Sequence, residues 1–84
     1  AESPEQGAVH RQTWAALGEA LGRLPPLYRE AFVLRHLEQL TYDEMEAIVG
    51  LAPSVLKVRV HRAREMLRRL MGDALEGYSH HEPT

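Results

Sequence analysis

Glycine and proline residues, together with a capping box that begins at Thr41, divide this sequence into four stretches, and each stretch has the apolar spacing of a helix. The dividing residues are Gly22, Pro25, Pro26, Gly50, Pro53 and Gly72. Both residue types destabilise a helix interior, because glycine is conformationally free and proline lacks a backbone N–H donor. No stretch alternates polar and apolar residues for long enough to predict a strand. The sequence therefore predicts an all-α fold of four helices.

The residues that begin the helices are recognisable from their types. Ser3-Pro4-Glu5-Gln6 and Thr41-Tyr42-Asp43-Glu44 both have the pattern of a capping box, in which the first and fourth residues satisfy each other's backbone N–H groups. The fourth helix begins near Ala52-Pro53-Ser54, and either Ala52 or Ser54 is its cap. Gly50 is expected to end the third helix in the left-handed conformation that glycine adopts without strain.

Apolar residues at helical spacing predict the buried face of each helix. We expect Trp14 and Phe32 to be core residues, because no basic residues are interleaved with them as in a base-stacking platform. The second helix runs from about 26 to 38, and part of its apolar stripe could instead face a helix of a partner protein. The stripe residues are Trp14, Leu17 and Leu21; Leu27, Ala31, Leu34 and Leu37; Met45, Ile48 and Val49; and Leu56, Val60, Ala63, Leu67 and Leu70.

The net charge of −2 conceals a basic segment in the fourth stretch. Of the ten Lys and Arg residues, six lie between Lys57 and Arg69, where Glu65 is the only acid. Local charge rather than net charge decides where phosphate groups dock. The fourth helix is therefore expected to have one apolar face and one basic face.

Several classes of function are not supported by these residues. The chain has no cysteine, which excludes disulfides, thiolate zinc sites and thiol nucleophiles. We find no Ser-His-Asp arrangement, phosphate-binding glycine loop or carboxylate pair, and we expect neither enzymatic activity nor a cofactor. His80-His81-Glu82 lacks the fixed spacing of a metal site, so no metal is expected. Without a membrane span or a signal sequence, the expected location is the cytoplasm.

The third and fourth stretches have the pattern of a helix-turn-helix, in which a glycine-containing turn joins a short helix to a longer one. The outward residues of the longer helix would enter the major groove of duplex DNA. Candidates for reading base edges are Ser54, Val58, Arg59 and His61. Candidates for phosphate contacts are Lys57, Arg59, Arg62, Arg64 and Arg35. Tyr42, at the start of the third helix, is either a phosphate contact or a surface tyrosine.

These patterns divide the chain into three parts. Residues 1–24 form a linker and first helix, residues 25–72 form a helix-turn-helix DNA-binding core, and residues 73–84 form a flexible polar tail. The first residue is Ala1 rather than Met, and we interpret the chain as a processed product or a piece of a longer protein.

Three segments of the sequence form a distinctive set: Leu24–Arg35, with its Leu-Pro-Pro start; Leu40–Met45; and Leu56–Arg64, which ends in His-Arg-Ala-Arg. Together they resemble region 4 of the extracytoplasmic-function sigma factors of bacterial RNA polymerase. The resemblance extends from residue 24 to about residue 70. It implies recognition of the −35 promoter element in duplex DNA, docking onto the β-flap of RNA polymerase and frequent capture by an anti-sigma factor.

The sequence departs from the family's pattern at two places. Glu46 stands where the family usually has a small residue, and either a rotated helix or an outward-pointing Glu46 stem would accommodate it. Val55 and Val58 stand where the recognition helix is often polar. Two alternatives remain open: a protein-interaction module with little intrinsic DNA binding, and the effector domain of a LuxR-type response regulator.

Overall fold

The structure is a computed structural model of the 84-residue chain, and it describes the backbone of residues 4–72 and the side chains of residues 11–72. It contains α1 (Pro4–Gly22), α2 (Pro26–Phe32), α3 (Tyr42–Val49) and α4 (Pro53–Met71), with a π-helical turn, Val33–Leu37, continuing α2. No strand occurs in this part of the chain, and the all-α prediction is confirmed. The predicted Ser3 cap, the tail at 73–84 and His80-His81-Glu82 lie outside the described residues.

Leu24–Met66 form one compact unit, and the described residues on either side of this segment belong to a second one. The second unit contains α1 and the end of α4. Its buried side chains are Leu17, Ala20, Leu21 and Leu67.

The unit 24–66 contains an apolar core to which α2, α3 and α4 all contribute. Its centre consists of Ala31, Met45, Leu56 and Val60. Half-buried residues packed against this centre are Leu34, Leu40, Tyr42, Val49 and Leu51. The core therefore includes the residues before and after Gly50 that the helix-turn-helix pattern requires to be apolar.

Four residues of the predicted stripes are not in the core. Trp14, Leu27, Ile48 and Leu70 are between 43% and 62% exposed. Each lies about 50–90° from the mean direction of the buried residues of its helix, at 100° per residue. They are therefore at the edges of their apolar stripes. The prediction of a core position is wrong for Trp14, Ile48 and Leu70, whereas the exposure of Leu27 agrees with the alternative that part of the α2 stripe faces a partner helix. Phe32, in contrast, is fully buried as predicted.

The loop between α2 and α3 is fixed by backbone geometry and by one arginine. Glu38 N–H donates to the Val33 carbonyl at 2.9 Å, and Leu40 N–H donates to the Leu34 carbonyl at 3.1 Å. Gln39 has a φ of 58°, in the left-handed region where non-glycine residues are uncommon. The Arg35 guanidinium donates to the Leu40 carbonyl at 3.0 Å. This interaction joins the end of the π-helical turn to the start of α3.

The turn between α3 and α4 follows the predicted pattern. Gly50 has a φ of 76°, and its N–H donates to the Glu46 carbonyl at 2.8 Å. α4 then begins at Pro53, and the Ala52 carbonyl accepts hydrogen bonds from the N–H groups of Val55 and Leu56. Ala52, rather than Ser54, therefore occupies the N-cap position of α4.

Candidate nucleic-acid interface

The outer face of α4 brings together three of the four residues predicted to read base edges and two of the predicted phosphate contacts. At 100° per residue, Val58 points about 170° away from the mean direction of the buried residues Leu56, Val60 and Ala63. Ser54, His61 and Arg62 lie more than about 120° from that direction, and Lys57 about 90° from it. All five of these outward residues are exposed. We call this surface the outer face of α4 and define it by Ser54, Lys57, Val58, His61 and Arg62.

Two predicted site residues, Arg59 and Arg64, lie at the flanks of this face. Each points about 70° from the buried direction of α4, on opposite sides of the helix. Both are half-buried. Their aliphatic stems are thus partly covered while the face between them remains accessible, an arrangement common for long cationic side chains.

A surface groove runs beside the outer face of α4, within the unit 24–66. Leu27 and Tyr28 of α2 line one side of the groove, and residues of the first half of α4 line the other. The α4 residues are Ser54, Val55, Val58, Arg59 and Arg62. Sequence analysis missed the contribution of α2, because the groove depends on how two helices pack and no single-helix periodicity reports that.

Arg35, Tyr42 and Lys57 form a cluster in which both cations lie over the tyrosine ring. The Arg35 guanidinium carbon is 4.9 Å from the ring centroid, and Lys57 Nζ is 5.6 Å from it. Cations at these distances from an aromatic face are attracted to its quadrupole by about 0.5–1 kcal/mol at exposed sites. The structure thus joins two predicted phosphate contacts to Tyr42, and it gives Arg35 a further, positioning interaction with the Leu40 carbonyl.

The N-terminus of α3 is capped by the side chains of Thr41 and Glu44. Glu44 N–H donates to Thr41 Oγ1 at 3.1 Å, and Thr41 N–H donates to Glu44 Oε1 at 2.8 Å, which is the predicted capping box. The carboxylates of Asp43 and Glu44 also lie in this first turn. They repel a phosphate group, so a phosphate contact from Tyr42 would come from its hydroxyl rather than from the helix end.

Two further local interactions were not predicted from the sequence. The Arg29 guanidinium donates to the Leu24 carbonyl at 2.9 Å, which braces the start of α2. On α4, His61 Nε2 lies 3.2 Å from Glu65 Oε1, so a carboxylate borders the outer face. The only feature of the sequence that drew attention to Arg29 was its place in the segment Leu24–Arg35, which resembles the family.

Glu46, the departure from the family's pattern on α3, is exposed. Its carboxylate therefore does not enter the apolar core. Among the side chains of residues 11–72, which are those that the structure describes, we find no cluster of three His, Asp or Glu residues that could hold a metal ion. Across residues 4–72, every helix is too short or too polar to cross a membrane.

Comparison with known proteins places this fold in a family. The family model described as sigma-70, region 4 matches residues 14–67. The ECF RNA polymerase sigma factor SigE of Mycolicibacterium smegmatis is 39% identical over 66 residues, covering 79% of this chain and 26% of that protein. The RNA polymerase sigma factor CarQ of Myxococcus xanthus is 40% identical over 55 residues, covering 66% of this chain and 32% of that protein.

A third relative, the ECF RNA polymerase sigma factor SigW of Bacillus subtilis, is 30% identical over 70 residues, covering 83% of this chain and 37% of that protein. The chain thus spans between 26% and 37% of the length of these three relatives. No solved structure matches it. Since the family model covers more than half of the sequence, the chain belongs to the sigma-70 region 4 family.

Proposed function

We propose that this chain recognises the −35 promoter element of duplex DNA and thereby directs RNA polymerase to specific promoters in transcription initiation. The observation that carries the proposal is the outer face of α4. It combines two cations with a serine, a valine and a histidine on the side of the helix opposite the core. A helix with this arrangement in a helix-turn-helix docks in the major groove with its N-terminal half nearest the base edges.

The contacts divide into two classes according to where each side chain points. Ser54, Val58 and His61 point outward and would face the base edges. Arg59, at the flank, would reach either a guanine or a phosphate. If Arg59 forms hydrogen bonds to a guanine, the variant Arg59→Ala is expected to bind more weakly by about 1–3 kcal/mol and to have a relaxed sequence preference. Unchanged specificity in that variant would exclude the guanine contact.

The remaining cations would position the helix on the DNA backbone. They are Lys57, Arg62, Arg64 and Arg35. Their phosphate contacts are independent of sequence, so replacing Arg64 is expected to weaken binding to all duplexes alike. The N-terminus of α4 also favours this docking, because Ala52 has no side-chain acceptor for the N–H groups of the first turn and a phosphate oxygen would satisfy them.

The test is a salt titration of the chain with duplexes selected from a randomised pool at low salt. If about four phosphates are engaged, the logarithm of the binding constant falls with the logarithm of salt concentration with a slope of about −3.6. We expect this slope together with enrichment of one sequence motif. Salt-sensitive binding without enrichment would contradict promoter recognition, and an absence of binding at low salt would contradict DNA binding itself.

We further propose the partners and location that this role requires. The chain would act as part of a sigma factor docked on the β-flap of RNA polymerase in the cytoplasm, subject to capture by an anti-sigma factor and without enzymatic activity of its own. Membership in the sigma-70 region 4 family supports these partners and leaves the response-regulator alternative without support.

A second candidate function is a protein-interaction module with little intrinsic DNA binding. The groove that Leu27 and Val55 help to line favours it, since both side chains are exposed. The selection experiment separates the two candidates, because an interaction module would not enrich a duplex sequence.

A further inference from the structure

Two exposed valines lie where a DNA-reading helix is expected to be polar. Val58 is 48% exposed and Val55 is 41% exposed. A single exposed apolar residue is ordinary on a protein surface and needs no explanation. These two, however, are one turn apart in the half of α4 that would lie nearest the base edges, and Val58 is the residue that points most directly away from the core.

A valine in this position has a narrow choice of favourable contacts. It has no hydrogen-bonding group, so against a polar base edge it would displace water without replacing the lost hydrogen bond. The major groove displays one apolar group, the C5 methyl of thymine. Valine is also stiff about its first side-chain torsion, so its two methyl groups have little rotational freedom to lose on contact.

The charges around the valines indicate that the occupant is nucleic acid rather than an apolar protein helix. Arg59 and Arg62 line the same groove as Val55 and Val58, and Lys57 lies on the other side of Val58. Cations on both sides of an apolar strip match a major groove, whose walls are phosphate backbones and whose floor carries the thymine methyl groups.

We propose that Val58 reads the C5 methyl group of a thymine, with Val55 extending the apolar surface one turn toward the helix start. The inference rests on the proposed function and makes it more specific. It assigns at least one T·A pair to the recognised element, at the position that faces Val58, and it attributes that preference to apolar contact rather than to a hydrogen bond.

The experiment replaces thymine by deoxyuridine in the duplex enriched from the randomised pool. Deoxyuridine pairs in the same way and differs only by the missing methyl group. Each thymine is replaced in turn, and the affinity of the 84-residue chain is measured by fluorescence anisotropy. We expect one or two positions at which the replacement weakens binding by about three- to fivefold, the loss that corresponds to one buried methyl group.

The variant Val58→Ser tests whether that loss comes from this residue. Serine has a helix propensity similar to that of valine, and the position is exposed, so the fold is expected to persist, as circular dichroism would verify. In Val58→Ser the ratio of thymine to uracil affinity at the sensitive position falls to about one. Ile48→Ser is the matched control, since Ile48 is also exposed but lies on α3, and it keeps the full uracil loss.

The outcomes separate this inference from the function on which it rests. A motif without thymine, no uracil loss at any position, or the same loss in Val58→Ser would each overturn the thymine contact and leave promoter recognition standing. If no motif is enriched, sequence-specific recognition fails and the inference fails with it. A uracil loss confined to one or two positions and abolished in Val58→Ser confirms the contact.

Discussion

The two helices of the helix-turn-helix are stabilised in different ways. α3 has eight residues, begins with the capping box of Thr41 and Glu44, and is followed by Gly50 in a left-handed conformation. α4 has 19 residues and begins at Pro53 after an alanine that has no capping side chain. A short helix is marginal without local stabilisation, whereas a long amphipathic one is stabilised mainly by tertiary packing. The stability of α4 thus depends on its buried face rather than on its own N-cap.

The two helices also differ in the charge of their exposed surfaces. The acids of α3, Asp43, Glu44 and Glu46, are exposed, whereas the outer face of α4 has Lys57 and Arg62. Phosphate groups are repelled by the first surface and attracted by the second. The difference supports the proposal that α4, rather than α3, contacts the DNA.

The largest expected effect tests the dependence of α4 on its buried face. Leu56→Ala removes a side chain that is 2% exposed, and it is expected to lower the free energy of unfolding by about 2–5 kcal/mol. Ile48→Ala, an apolar truncation on the exposed side of α3, should change it by less than about 0.5 kcal/mol. Urea denaturation followed by circular dichroism measures both. Equal losses would show that the burial difference between the two positions does not determine stability.

A smaller effect is expected at the end of α3. An added Cβ at Gly50 meets no neighbouring atom, so the strain in Gly50→Ala comes only from its φ of 76°. This strain is expected to lower the free energy of unfolding by about 1–2 kcal/mol. Gly18→Ala is the control: Gly18 lies inside α1 with open space around it, and alanine there should stabilise by about 0.5–1 kcal/mol. Thermal unfolding measures both variants. If Gly50→Ala and Gly18→Ala shift the melting temperature in the same direction, this account of the turn is contradicted.

The smallest effect on stability distinguishes the two helix starts. Thr41→Ala removes the capping hydroxyl of α3 and should lower the free energy of unfolding by about 1 kcal/mol. Ser54→Ala should change it by less than about 0.5 kcal/mol, because Ser54 lies inside α4 and is not its cap. Affinity for the enriched duplex should respond in the opposite way, weakening in Ser54→Ala and staying unchanged in folded Thr41→Ala. A stability loss in Ser54→Ala equal to that in Thr41→Ala would contradict the assignment of Ala52 as the cap.

Much of the fold could be predicted because its signals are local. The capping box at Thr41, the left-handed Gly50 and the start of α4 near Pro53 are each specified by neighbouring residue types, and the structure has all three. Apolar periodicity also predicted the buried stripe of α4 as far as Leu67. It failed at Leu70, because steps averaging 3.5 residues drift by about 20° per heptad relative to a helix of 3.6 residues per turn.

The parts that could not be predicted depend on the path of the chain between helices. The π-helical turn and the left-handed Gln39 bring the Leu40 carbonyl to the Arg35 guanidinium, and no sequence pattern specifies that path. The groove beside Val58 likewise requires α2 and α4 to be in contact. The outward direction of the α4 side chains, in contrast, follows from periodicity alone.

The most direct test of the central claim, that the outer face of α4 binds duplex DNA, compares two double variants with equal charge. Arg59→Ala with Arg62→Ala removes two cations from α4, and Arg11→Ala with Arg23→Ala removes two exposed cations, one in α1 and one in the turn that follows it. Fluorescence anisotropy on the enriched duplex, measured across a range of salt concentrations, gives the affinity and the salt slope of each. We expect the α4 variant to lose the motif-specific binding and to reduce the magnitude of the slope by about one unit, or by about two if Arg59 contacts a phosphate, with the Arg11 and Arg23 variant close to the unmodified chain. Equal losses in the two variants would show that net charge, rather than the outer face of α4, accounts for the binding.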